Sequence, residues 1–166
     1  MPSDRPIAVG LELLITLYKT IDDTFVNLWN RVQTHANPAW FVQMQTYILE
    51  AIPRYLECTE AQAVQIRITQ QWLKAMAWQL SVCQGIVSSV TNDSCMTFKY
   101  PIEISRDLLT MTHQFPQQAM EVHGAELVST PDFLFSSRTF LSHSSWDLHS
   151  YIFRSDHPCH KPHTKT

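Results

Sequence analysis

The chain has 166 residues, 45% of them hydrophobic, with three glycines and a formal net charge of −3. That is enough for one domain with its own core and too little for two ordinary ones. Charged residues at 16% argue against a disordered chain or a coiled-coil rod, the few glycines against a Rossmann sheet, a P-loop or a β-sandwich, and the slight acidity against gripping nucleic acid through bulk charge.

The first periodic segment runs from about Gly10 to Val32. Leu11, Leu14, Tyr18, Ile21, Phe25, Leu28 and Val32 recur at alternating steps of three and four, which is one helical face. Two readings are open for it: one long helix of a bundle, or a heptad face through which two copies dimerise. Asn37-Pro38 then reads as a helix start, with Asn as the cap and Pro in the first turn. Trp40, Phe41, Met44, Tyr47, Ile48 and Ile52 follow at helical spacing, and Pro53 ends the segment.

Thr59-Glu60-Ala61-Gln62 matches a capping box. The spacing after it predicts a third helix to about Ser88, with Val64, Ile68, Trp72, Met76, Leu80, Cys83 and Val87 inward and Gly85 near its end. Trp78 points to another side of the same helix. Large apolar residues on more than one face make this the central helix of the body.

Val90 to Lys99 reads as a polar loop. Tyr100-Pro101 restarts a helix with Ile104, Leu108 and Met111 inward, and Pro116 opens a short helix closing near Gly124. Met96 to Tyr100 alternates, but it is too short and isolated to form a sheet. The fold class expected is all-α, an irregular multi-helix bundle of about five helices. The helical domain spans residues 1–128. After Val128 the pattern collapses: residues 129–166 hold eight serines and five of the eight histidines, and a poorly ordered tail is expected.

The N-terminus lacks the charged-then-apolar layout of a signal peptide. The run between Lys74 and Asp93 carries no charge, yet it holds too many polar residues for a membrane span. Cys58, Cys83, Cys95 and Cys159 show no C-x-x-C spacing. Reduced thiols in the cytosol or nucleus are the simplest reading.

Few residues carry chemistry. His157, Cys159, His160 and His163 are metal-binding types, but they lie within seven residues. Structural zinc sites close a loop between separated ligand pairs, so only adventitious metal binding is expected. Cys83 falls on the expected inner face, where a thiol is inert. His113 suits the last turn of its helix as a cation. Asp22 and Asp23 are adjacent and point apart on a helix, which fits a solvated face rather than acid–base work. Trp72 and Trp78 read as core, with an effector pocket or partner groove as the alternative. Neither a cofactor nor catalysis is expected of this chain.

Several stretches resemble a known family. Ile66-Arg67-Ile68-Thr69-Gln70-Gln71-Trp72-Leu73-Lys74, then Trp78-Gln79-Leu80-Ser81 and Gly85, are similar to a segment of the fungal zinc binuclear cluster transcription factors. So are Phe98-Lys99-Tyr100-Pro101-Ile102-Glu103-Ile104, Arg106-Asp107-Leu108-Leu109 and Met120-Glu121-Val122-His123-Gly124. The resemblance covers roughly Leu11 to Leu127 and points to the all-helical regulatory region downstream of the family's DNA-binding module.

It implies a nuclear regulator whose helical region controls the activator, with protein partners and no membrane. The family's six-cysteine module holds two zinc ions and contacts DNA. That pattern is absent from this sequence, so the resemblance implies zinc and DNA contact only in a missing module. It further implies a truncated fragment whose tail departs from the family after Gly124. The alternative, of another class, is a free-standing dimerisation protein using the 11–32 heptads.

Overall fold

The computed structural model describes residues 5–32, 35–121 and 123. Among them are six α-helices and one 3-10 turn, with no strand. The expected all-α class is what the chain adopts. The expected tail from residue 129, with its boundary at 128, lies outside the described residues, as do Gly124 and the four metal-binding types near the C-terminus.

The first expected helix is in fact two. α1 covers Arg5–Tyr18 and α2 covers Asp23–Trp29. The break is made by Asp22, whose carboxylate accepts from the Phe25 amide at 2.7 Å and caps α2. Its other oxygen accepts from the Trp40 indole at 3.4 Å. Helical periodicity across residues 11–32 therefore describes two short helices that happen to keep phase. Gly10 lies mid-helix rather than at a boundary: a Cβ there would come within 2.6–2.8 Å of the Gln62 side chain. The missing side chain lets α1 cross the start of the central helix closely.

α3 covers Pro38–Glu50, with the Asn37 side chain accepting from the Ala39 amide. The sequence reading of this start is correct. α4 covers Glu60–Cys83, capped by the expected Thr59–Gln62 box. Gln62 also donates to the Ile7 carbonyl at 3.1 Å, joining that cap to α1.

α4 ends five residues before the expected Ser88. Gly85 takes φ +67, its amide donates to the Val82 carbonyl, and the Ile86 amide donates to the Ser81 carbonyl. This left-handed terminator stops the helix, and Val87 falls outside it. α2 ends by the same pair of bonds, from Arg31 to Leu28 and from Val32 to Asn27. There a non-glycine residue, Arg31, takes the positive φ of 58.

The alternating stretch near Met96 is a 3-10 turn, Ser94–Met96. α5 covers Tyr100–Thr112 with Ile104, Leu108 and Met111 buried, as expected, and α6 covers Gln117–Glu121.

α4 is the central helix. It packs on α1, α3, α5, α6 and the 3-10 turn, and it separates two apolar clusters. The first gathers Leu17, Phe25, Leu28, Phe41, Met44, Ile48, Ile66, Leu73 and Met76 from α1 to α4. The second gathers Val64, Ile68, Ala75, Tyr100, Ile104, Leu108, Met111 and Ala119 from α4, α5 and α6. The expected single inner stripe of α4 is thus divided. Val64 and Ile68 face α5, whereas Met76 and Leu80 face the first cluster. Each fully buried Leu, Ile or Phe contributes about 1.5–3 kcal/mol.

Candidate functional site

The most distinctive chemistry is a polar seam along α4. Arg67, Gln70 and Lys74 lie at i, i+3 and i+7 and so share one face. The Arg67 guanidinium donates to the carbonyls of Pro53 at 3.0 Å and Arg54 at 3.4 Å. Gln70 donates to the carbonyls of Ile48 at 2.9 Å and Leu49 at 3.4 Å. These acceptors lie at and just beyond the end of α3, where helix carbonyls lack partners and Pro53 bars continuation. α4 therefore caps α3 from the side. Burial lowers the Arg67 pKa from its ordinary value, and the nearby Cys58 opposes that shift.

Lys74, 5% exposed, continues the seam to α5. Its ammonium lies 2.9 Å from the Asp107 carboxylate and 5.6 Å from the centre of the Tyr100 ring. A charge so deep needs such a partner, because an unpaired one would be strongly destabilising. The Lys74 carbonyl accepts from the Gln45 side chain at 2.9 Å, and Gln45 accepts from the Tyr100 hydroxyl at 3.0 Å. Burial pushes the Tyr100 phenol above its ordinary value, and Cys95, Glu103 and Asp107 add to the shift. The four side chains close a ring that joins α3, α4 and α5.

This ring was not singled out from the sequence. The available signal was Lys74 itself, a lone cation between Leu73, Ala75 and Met76. Periodicity counts such a residue as polar and assigns it to solvent. Gln45 gave no signal, since nothing in its neighbourhood distinguishes a buried amide from an exposed one.

The residues singled out beforehand are dispersed. Trp72 and Trp78 are both half-buried, and they pack on opposite clusters. The Trp78 indole donates to the Thr97 carbonyl at 3.0 Å, which uses its polar end internally. An open groove of about 600 Å³ is lined by residues including Val42, Gln43, Ile86 and Met96, and a smaller one of about 370 Å³ by residues including Lys19, Tyr47 and Glu50. Neither tryptophan lines either groove.

The heptad residues do not form one dimer face. Phe25 and Leu28 are buried in the first cluster, Leu14 and Ile21 are half-buried against it, and Leu11, Tyr18 and Val32 are exposed. The reason is the Asp22 break, which lets α2 turn its apolar side inward. What α1 exposes instead is a stripe of Ile7, Leu11, Ile15 and Tyr18.

Cys83 is exposed rather than inward-facing, because it sits on the last turn of α4. Surrounding protein still raises its thiol pKa, against the lowering effect of Arg31. Cys58 and Cys95 are likewise raised, chiefly by burial. All three are held toward the thiol, which is the less nucleophilic form. Among the described residues no group of three or more His, Cys, Asp or Glu side chains could hold a metal ion. No helix among them is long and apolar enough to cross a membrane.

No protein-family model matches the chain, and no solved structure matches it. The chain is similar to the probable sucrose utilization protein SUC1 of Candida albicans, with 24% identity over 110 residues. The similar region is 66% of this chain but 22% of that protein, so the chain spans about a fifth of its relative's length.

Proposed function

We propose that this chain is a helical regulatory and interaction region of a fungal transcription regulator, acting in the nucleus and without enzymatic activity. The observation that carries the reading is the similarity over 110 residues to a fungal protein named for sucrose utilization. The geometry adds support. The resembling stretches 66–81 and 98–109 fall largely on α4 and α5, and these helices meet through Lys74 and Asp107. A helical region built to receive or transmit a signal needs such defined contacts between its helices.

In this reading the chain is one piece of a larger regulator. The zinc cluster that contacts DNA belongs to another part of that protein, and partners bind through helical surfaces. The chain itself needs no cofactor. The alternative, a free-standing protein that dimerises through the 11–32 heptads, would have to use the exposed Leu11, Tyr18 and Val32, since Phe25 and Leu28 are buried.

The test is a reporter assay in yeast. The chain is placed between a heterologous DNA-binding module and an activation domain. A regulatory region changes reporter output, whereas an inert spacer of equal length does not. Output indistinguishable from the spacer would refute the proposal. A gel-shift at low salt is expected to show no specific DNA binding by the chain alone.

A further inference from the structure

The two apolar clusters share α4, yet the ring of Gln45, Lys74, Tyr100 and Asp107 ties them together across it. We propose that this ring is a conformational latch. It holds α5 and α6 on α4, and when it opens at Asp107 these two helices release as a unit while α1 to α4 stay folded.

Four observations carry the inference. First, the side chains are placed unequally with respect to water. The Lys74 side chain is 6% exposed and that of Asp107 is 53% exposed. The pair therefore has a fixed inner end and an outer end that water reaches, and Asp107 is the part that leaves first. Second, the ring is closed through the backbone. Tyr100 and Asp107 lie seven residues apart, two turns along one side of α5. One bonds Gln45, and the other bonds Lys74, whose carbonyl is itself held by Gln45.

Third, among the described residues the apolar cluster beneath α5 and α6 is the smaller one, eight buried residues against thirteen in the other. The element with less apolar burial is the one that opens locally. Fourth, α5 and α6 follow α4 in the chain and are joined to it by the 84–99 connection. They can lift away without unthreading any other helix among the described residues.

Sliding α5 by one turn along α4 in one direction leaves the buried Lys74 ammonium without a carboxylate, whereas the other direction offers it Glu103, one turn before Asp107. The latch rests on geometry alone, and its failure would leave the regulatory reading standing.

Hydrogen exchange on the full 166-residue chain tests it. Asp107→Asn keeps the shape and removes the charge while leaving an amide oxygen for Lys74 to bond, and Tyr100→Phe, which leaves the ion pair intact, is the second variant should the unpaired ammonium unfold the first. In Asp107→Asn the amides of Ile104 to Met111 should exchange about 30-fold faster, while those of α3 and of Ile66 to Ala75 stay within about threefold of wild type. Tyr100→Phe, which removes only the bond to Gln45, should accelerate the same α5 amides about tenfold. Unchanged α5 exchange in either variant would overturn the latch. So would equal acceleration of α3, α4 and α5, which would mean that the helices open only together.

Discussion

α1 and α4 make an instructive pair. α1 is the more apolar by composition, yet only Gly10 and Leu17 of its 14 residues are buried. α4 carries five glutamines, an arginine and a lysine, yet 15 of its 24 residues are buried. Burial here follows position rather than apolarity. α4 is surrounded by α1, α3, α5 and α6. Its buried Gln70 and Lys74 are tolerated inside because they bond neighbouring carbonyls and a carboxylate, whereas the Gln71 side-chain oxygen is buried without a hydrogen-bond partner among the described residues. α1 rests one face on α4 and leaves Ile7, Leu11, Ile15 and Tyr18 exposed.

Substitutions can break this contrast, and the largest effect is expected on α4. Leu73 has no exposure, so Leu73→Ala should lower stability by about 2–5 kcal/mol in urea unfolding. A loss below about 1 kcal/mol would mean that α4 is not the packed centre of the fold. Next comes the entry to α4. Thr59→Ala removes the hydroxyl that caps the Gln62 amide and should cost about 1 kcal/mol.

The two left-handed helix ends give effects of similar size and opposite sign. Gly85→Ala should destabilise by about 1 kcal/mol, because alanine resists φ +67. Arg31→Gly should stabilise by about 0.5–1 kcal/mol by relieving the same strain at φ 58. Thermal melts of both variants would expose the asymmetry, and shifts in the same direction would contradict it. The smallest effect belongs to the outer face of α1. Leu11→Ser should change stability by less than about 1 kcal/mol. A loss as large as that of Leu73→Ala would show that this face is covered after all.

Tyr100 adds a pH-dependent check on the α4 side. Its phenol is raised in the folded chain. Its contribution is therefore fully present below the unfolded value of about 10 and is lost as pH rises above it. Tyr100→Phe should flatten that alkaline loss of stability, and an unchanged alkaline profile would contradict the buried placement.

Much of the local structure was legible in the residues themselves. Asn37-Pro38, the Thr59–Gln62 box and Gly85 each set a helix end through bonds between near neighbours in the chain, and Pro101 suits the first turn of α5 by its fixed φ without a side-chain cap. The α1–α2 break was less legible. Asp22 is a good cap, but its residues keep helical phase across the gap, and periodicity cannot register a turn that preserves phase.

What the sequence by itself determined is the all-helical class, most helix boundaries and the central place of α4, since local capping and apolar spacing act within a few turns. Only the tertiary structure decided which apolar face of α1 is covered and how α4's stripe divides between two clusters. It alone also brought Gln45, Lys74, Tyr100 and Asp107 into one ring. The physical reason is separation along the chain. Gln45 and Tyr100 stand 55 residues apart, and whether a lysine or glutamine is buried depends on partners that no local pattern records.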